Sequence, residues 1–119
     1  MQKGTDLTPA TNYAASELQR ETADSLPGLV VLQFGTNWCG YCQNAQALIE
    51  PVMASRPDVA RHFIEDGPGR PLGRSYRVKQ WPTLVLLRDG LEAGRLVRPQ
   101  DAEQVKALLK AANAEGSAT

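Results

Sequence analysis

The chain has 119 residues, of which 42% are apolar, and its 13 basic residues are balanced by 13 acidic ones. This length is typical of a single domain, with enough apolar residues to fold without metal ions or disulfides as supports. The balanced charge argues against nucleic acid or an anionic membrane as the main partner, because both are bound by an excess of Lys and Arg. No apolar stretch approaches the ~20 residues that span a bilayer, so no membrane insertion is expected.

The first 25 residues are polar and lack the continuous apolar run of a secretory signal. A cytoplasmic location is therefore expected, or a periplasmic one after removal of a signal. Thr8 as an N-cap, with Pro9 just inside, favours a helix over residues 8–25. This helix carries a weak apolar stripe that includes Tyr13 and Leu18, and it ends before Pro27.

Three short runs that are rich in apolar or β-branched residues predict strands at residues 29–34, 59–65 and 83–87. Asp89-Gly90 after the third run is a strong signal for a β-hairpin turn, so residues 92–97 are predicted as the return strand.

Apolar residues at helical spacing predict three further helices. They lie at residues 39–55, 72–76 and 101–112. In the last helix, Asp101 and Gln104 suit a capping box, and Ala112 is the final residue of the apolar face.

Strands that alternate with helices and end in a hairpin predict the α/β class. The expected architecture is a central mixed sheet of four to five strands with helices on both faces. Residues 1–119 are interpreted as one domain, with a core over residues 29–112 and a frayed tail over residues 114–119.

The two cysteines, Cys39 and Cys42, are three positions apart. A disulfide between them closes almost no loop and stabilises the fold little, which points to a bond that is made and broken. A structural zinc site needs four ligands, and the only histidine is His62, so no metal is expected. A metal shared by two chains and a buried inert pair are the alternatives.

Cys39 lies where a predicted strand gives way to a helix. The unpaired N–H groups and the dipole of a helix N-terminus favour the reactive thiolate there. Cys42 is one turn further on, on the same side of the helix. This arrangement predicts a two-step exchange, in which Cys39 attacks a substrate disulfide and Cys42 resolves the mixed disulfide. The pair itself carries two electrons, so no cofactor is expected.

The run from Leu29 to Ala112 resembles the thioredoxin family. The resemblance rests on the motif Trp38-Cys39-Gly40-Tyr41-Cys42, on the triplet Trp81-Pro82-Thr83, and on the strand and Asp-Gly hairpin that follow. It implies the thioredoxin fold and a cis Trp81–Pro82 bond, with Pro82 against the cysteines and a backbone edge that pairs with the substrate chain. An ordinary proline at a strand start is the alternative.

The same resemblance implies a docking surface around the cysteines. Trp38 packs beside the nucleophile and Trp81 lines the groove, while a simple boundary tryptophan is the alternative for Trp38. Gly40 and Tyr41, between the cysteines, tune the redox poise. Thioredoxins usually carry proline at the position of Tyr41, and glycine-tyrosine looks more like the bacterial periplasmic disulfide isomerases.

Three further positions depart from the thioredoxin pattern. Gln33 falls where thioredoxins carry a buried aspartate that helps to deprotonate the second cysteine. Because Gln cannot exchange a proton near neutral pH, proton transfer at Cys42 is predicted to rely on solvent or on another group. The alternative is that Gln33 only satisfies a local polar group. Gly35 replaces an aromatic residue. Arg98 adds a charge near the docking surface, which favours acidic partners, and a solvated surface charge is the alternative for Arg98.

The sequence therefore predicts a thiol–disulfide oxidoreductase that reduces protein disulfides. Its expected partners are disulfide-containing proteins and an electron donor such as a thioredoxin reductase or another thiol relay, and a monomer is expected. A more oxidising periplasmic isomerase or oxidant, and a non-catalytic docking module with this fold, are the alternatives.

Overall fold

The computed structural model describes Tyr13 and residues 18–118, with residues 112–118 described by their backbone only. The elements follow in the order α1 (Arg20–Asp24), β1 (Leu29–Gly35), α2 (Gly40–Ala54), β2 (Ala60–Glu65), α3 (Pro71–Ser75), β3 (Thr83–Arg88), β4 (Leu91–Val97) and α4 (Ala102–Ala118). From β1 to β4, the predicted order of strands and helices is confirmed, and each boundary lies within a residue of its prediction.

The prediction of a helix over residues 8–25 is wrong at three described positions. The helix begins at Arg20, and Tyr13, Leu18 and Gln19 lie outside it, while residues 8–12 and 14–17 lie outside the described residues. The backbone of Tyr13 bonds instead to the Asn37 side chain, with its N–H donating to Oδ1 and its carbonyl accepting from Nδ2, both at 2.9 Å. These two bonds replace the helical hydrogen bonds that Tyr13 would otherwise make.

The last helix extends beyond its predicted end at residue 112. Its backbone is helical to Ala118, through most of the segment 114–119 that the sequence assigns to a tail. Two of the six added residues, Ala114 and Ala118, are alanine, the strongest helix former. At the other end, Asp101 Oδ1 accepts from the Gln104 N–H at 3.0 Å, as the predicted N-cap requires. The side chain of Ala112 and residue Thr119 lie outside the described residues.

The four described strands form one mixed sheet in the order β2-β1-β3-β4. Strand β1 is parallel to β2 and antiparallel to β3, and β3 pairs with β4 as an antiparallel hairpin. A strand in the middle of such a sheet, covered on both faces, is apolar on both sides. This explains the nearly unbroken apolar run of β1.

Each face of the sheet is covered by an apolar core. On one face α2 and α4 pack on the sheet, with a core that includes Val31, Leu84, Leu86, Ile49, Val52, Val105 and Leu109. On the other face the core joins the sheet to α1 and α3 and includes Ala23, Val30, Leu32, Phe34, Leu72, Tyr76, Val85 and Leu87. The predicted placement of helices on both faces is thus confirmed.

The alternation of side chains along β1 decides which of its residues meet α2. Val31 belongs to the core beneath α2, and successive side chains of a strand point to opposite faces. Gln33 and Gly35 therefore share the face of Val31 and lie beneath the helix that carries the cysteines.

We predict that Gly90→Ala destabilises the protein more than Gly28→Ala. Both glycines have positive φ, 85° and 73°, where another residue costs about 1–2 kcal/mol. Only at Gly90 does the added Cβ run into the backbone carbonyl of Asp24, whereas at Gly28 it meets open space. Urea unfolding of the two variants measures the difference, and equal losses would contradict this packing of α1 on the hairpin.

Candidate active site

The cysteine pair lies at the start of α2, just after β1 ends. Cys39 is the N-cap residue of α2, and the backbone N–H of Cys42 donates to the Cys39 sulfur at 3.3 Å. This uses one of the N–H groups that a helix start leaves unpaired. Both thiols are free and buried, at 7% and 2% exposure. The predicted position of the pair at a helix start is confirmed.

The Cys42 side chain is buried in a cluster with Tyr13, Cys39 and Phe63. Burial raises the pKa of the Cys42 thiol to about 12, and the neighbouring Cys39 thiol adds to this rise. The backbone of Thr36 and the Tyr13 hydroxyl hydrogen-bond to Cys42 and lower its pKa in part. At neutral pH the Cys42 thiol therefore keeps its proton in the free, reduced protein.

An aromatic rim, formed by Trp38, Tyr41 and Trp81, surrounds the buried thiols. Trp38 is 74% exposed and Tyr41 is 59% exposed, while Trp81 is half-buried. The Trp38 and Trp81 rings meet edge-on, with centroids 5.7 Å apart. Gly40, between Cys39 and Tyr41, is exposed as well. The aromatic rim thus offers a contact surface beside Cys39.

The loop before β3 carries the proline that the sequence singles out. The Trp81–Pro82 bond is cis, as predicted, and Pro82 is buried. The Trp81 indole N–H donates to Asp66 at 2.8 Å. Thr83 is buried, and its hydroxyl donates to the Gln80 carbonyl at 2.6 Å. These bonds fix the loop at its position beside the cysteines.

Arg98 connects two residues of the aromatic rim. Its guanidinium carbon lies 3.8 Å from the centroid of the Tyr41 ring, and its Nε donates to the Trp81 carbonyl at 2.8 Å. The Arg98 backbone N–H donates to the Pro82 carbonyl at 2.9 Å. The charge that the sequence places near the docking surface therefore lies on the aromatic rim itself.

Gln33 is fully buried beneath α2. Its side-chain Nε2 donates to the Tyr13 hydroxyl at 2.6 Å and to Gln46 Oε1 at 3.2 Å. The Tyr13 hydroxyl in turn bonds to the Cys42 thiol. Gln33 is therefore linked to Cys42 through Tyr13. The sequence predicts that solvent or another group assists Cys42 without naming that group, and Tyr13 is the group that lies beside it.

Tyr13 is the site residue that sequence reasoning misses. The sequence feature that points to Tyr13 is Gly35, because a Cβ at this position would lie 2.6 Å from the Cys42 sulfur and 2.8 Å from Cζ of Tyr13. The ring of Tyr13 occupies the space that a side chain at position 35 would need. It packs edge-on against Phe63, with ring centroids 5.4 Å apart.

The described part of the chain bears on the metal and membrane predictions. There, no three His, Cys, Asp or Glu residues come together as a metal site would require. His62 is exposed on β2. Within the same residues, no helix combines the length and the apolar character needed to cross a membrane.

Two free thiols at the start of a helix, close to a cis-proline loop on a mixed sheet, define a thiol–disulfide oxidoreductase. A family model described as Thioredoxin matches residues 10–111. The chain belongs to the thioredoxin family.

Relatives and solved structures agree with this membership. The chain is 34% identical over 93 residues to a thioredoxin of Chlamydia trachomatis, which covers 76% of this chain and 90% of the relative. It is similar to the reduced form of thioredoxin 2 from Pseudomonas aeruginosa, with a TM-score of 0.76, 47% identity and coverage of 85% of this chain and 94% of that one. A mutant thioredoxin from Halobacterium salinarum has a TM-score of 0.66 at 29% identity, with 83% and 87% of the two chains covered.

We predict that the free energy of unfolding of the reduced protein falls as the pH rises above about 9. In the unfolded chain Cys42 ionises near its ordinary pKa of 9.0, whereas in the fold it stays protonated to about 12. The unfolded state therefore binds fewer protons in this range, so stability declines with rising pH. Burial also raises the pKa of Tyr13 from 10.0, which adds to the decline at higher pH.

Urea unfolding of the wild type and of Cys42→Ala, with a reductant present, measures this effect between about pH 8 and pH 10. The variant retains Tyr13 but lacks the thiol, so its stability should decline less steeply in this range. Equal slopes for the two proteins would contradict the raised pKa of Cys42.

Proposed function

We propose that the protein reduces disulfide bonds in other proteins, with Cys39 as the nucleophile and Cys42 as the resolving thiol. Cys39 attacks one sulfur of the substrate disulfide and releases the first substrate thiol. Cys42 then attacks the sulfur of Cys39 and releases the second. Two electrons pass to the substrate, and the protein is left with a disulfide between its two cysteines.

The burial of Cys42 is the observation that supports the reducing direction. In this class of protein, strong oxidants are those whose reduced form is stabilised. Here burial holds the pKa of Cys42 high, so this thiol stays protonated near neutral pH. No thiolate charge at Cys42 therefore stabilises the dithiol form over the disulfide.

A complete cycle needs a donor that returns two electrons to the cysteine pair. We propose a thioredoxin reductase or another thiol relay for this role, because thiol–disulfide exchange is the chemistry that the site performs. The pair stores both electrons by itself, so the cycle requires no resident cofactor. A monomer in the cytoplasm, where thiols are kept reduced, suits this direction of electron flow.

The substrate is proposed to dock on the aromatic rim and on the Pro82 loop. Exposed Trp and Tyr side chains bury much surface at little entropic cost, which suits varied protein partners. An extended substrate chain would pair with the backbone beside Pro82. Because the Trp81 carbonyl already accepts from Arg98, that chain must displace the guanidinium or pair through other backbone groups.

We predict that the reduction potential lies near the thioredoxin end of the scale, about −270 mV. Equilibration against dithiol redox buffers, followed by the fluorescence of Trp38 and Trp81, measures this value. Cys39→Ser and Cys42→Ser serve as controls and should show no such redox change. A potential near −120 mV would instead favour an oxidant or isomerase of the periplasm. Absence of reversible oxidation in the wild type would favour a docking module.

We predict that Arg98→Ala lowers the preference for acidic over basic disulfide peptides about two- to fivefold, because the charge is partly exposed and such a charge contributes less than about 1 kcal/mol. The measurement compares kcat/KM for two peptides that differ only in Glu or Lys beside the disulfide. Their ratio isolates the charge, since loss of the bond to the Trp81 carbonyl affects both peptides alike. Arg98→Lys should keep most of the preference, and an unchanged ratio in Arg98→Ala would refute acidic selectivity.

A further inference from the structure

A continuous line of hydrogen bonds runs from Cys42 along the buried side of α2. Cys42, Gln46 and Glu50 are four residues apart on this helix and therefore share one side of it. Gln33 Nε2 bonds to the Tyr13 hydroxyl at 2.6 Å and to Gln46 Oε1 at 3.2 Å. Gln46 Nε2 then donates to Glu50 Oε1 at 3.0 Å. The line connects the resolving thiol to the edge of the site.

The Arg61–Glu50 ion pair at the far end of this line determines which group donates and which accepts in each hydrogen bond. Arg61 donates to Glu50 Oε2, and a carboxylate can only accept hydrogen bonds. Gln46 must therefore turn its NH₂ group toward Glu50 and its oxygen toward Gln33. Gln33 in turn must present its own NH₂ group, which has two hydrogens and supplies both Gln46 and Tyr13. The amide orientations thus follow from the carboxylate and are not free to flip.

The consequence appears at Tyr13. Its oxygen accepts a hydrogen bond from Gln33, so its own hydrogen remains available for the Cys42 sulfur, with which it is hydrogen-bonded. Gly35 leaves room for this contact. The Asn37 side chain holds the Tyr13 backbone with two bonds, and Phe63 packs against its ring. These contacts together hold the Tyr13 hydroxyl in place beside the Cys42 thiol.

We propose that Tyr13 is a catalytic residue of the resolving step, in which its hydroxyl donates to the Cys42 sulfur and stabilises the developing thiolate. Gln33, Gln46 and Glu50 are positioning residues, because they act through Tyr13 by fixing the direction of its hydrogen. The inference rests on the proposed exchange between Cys39 and Cys42.

The step balances with the groups already named. The Cys42 sulfur attacks the Cys39 sulfur of the mixed disulfide, so the Cys39–Cys42 bond forms and the bond to the substrate sulfur breaks. The Cys42 sulfur is oxidised and the substrate sulfur is reduced, while the Cys39 sulfur stays at the disulfide level. The proton that leaves Cys42 ends on the departing substrate thiolate, and Tyr13 keeps its own proton throughout.

Tyr13 acts as a donor here and not as a base. Its burial raises its pKa well above the ordinary value, so it stays protonated near neutral pH. The titratable groups that face it are Cys39 and Cys42, and Glu50 and Arg61 lie beyond Gln33 and Gln46.

Tyr13→Phe tests the proposal, because it removes the hydroxyl and keeps the ring. Stopped-flow reduction of a disulfide peptide separates the attack by Cys39 from the release of the mixed disulfide. We expect release to slow about tenfold at neutral pH, the loss typical of a hydrogen bond to a charged group, while the attack changes less than twofold. The pKa of Cys42, followed by NMR of ¹³C-labelled cysteine in a Cys39→Ser background, should rise when Tyr13→Phe is added.

Tyr76→Phe is the matched control, since it removes a second buried tyrosine hydroxyl, one that has no hydrogen-bond partner among the described residues. It should leave both steps and the pKa of Cys42 unchanged. Glu50→Gln, at the half-exposed end of the line, should slow release about two- to threefold by freeing the amides to flip. This second variant keeps the test informative if Tyr13→Phe folds poorly.

Two results separate the proposals. Unchanged release and an unchanged Cys42 pKa in Tyr13→Phe would overturn the role of Tyr13 and leave the exchange between the cysteines intact. A wild type that never forms or releases a mixed disulfide would overturn the proposed function, and the role of Tyr13 with it.

Discussion

At the end of β1, the missing side chain of Gly35 lets the Cys42 sulfur and the Tyr13 ring approach the strand. A Cβ there would lie under 3 Å from both groups, closer than packed atoms can come. The first turn of α2 can therefore lie directly on the strand end, with Cys39 at the N-cap and Cys42 one turn below. Burial of Cys42, its raised pKa and its contact with Tyr13 all follow from this close approach.

A polar line within an apolar layer is the second consequence of that arrangement. An amide buried without partners costs about 1–3 kcal/mol, and Gln33 offsets this with bonds to Tyr13 and Gln46. Its Oε1 has no partner among the described residues. The amide is thus turned so that its donors, and not its acceptor, serve the site. Glu50 and Arg61 impose that orientation from the edge, although neither touches a cysteine.

The two sides of the cysteine pair differ in chemistry. On the buried side, the Cys42 sulfur is hydrogen-bonded to two neutral groups, the Thr36 backbone and the Tyr13 hydroxyl. On the exposed side, the aromatic rim and Arg98 surround Cys39 and present flat rings with one cation. A substitution of Arg98 would therefore change the charge of the exposed rim and leave the hydrogen bonds of Cys42 in place, because the contacts of its guanidinium are with Tyr41 and Trp81.

The sequence by itself determined the alternation of strands and helices, the hairpin at Asp89-Gly90 and the cysteine pair at a helix start, because periodicity, turn residues and short spacings are local signals. It also located Gln33 as the odd polar residue of a buried strand. The helix predicted through Tyr13 was wrong, since Asn37, 24 positions away, takes over the hydrogen bonds of that residue. Only the tertiary structure brought Tyr13 beneath Cys42 and aligned Gln33 with Gln46. These contacts join segments that are distant in sequence, and the local pattern of one segment does not indicate which other segment it will contact.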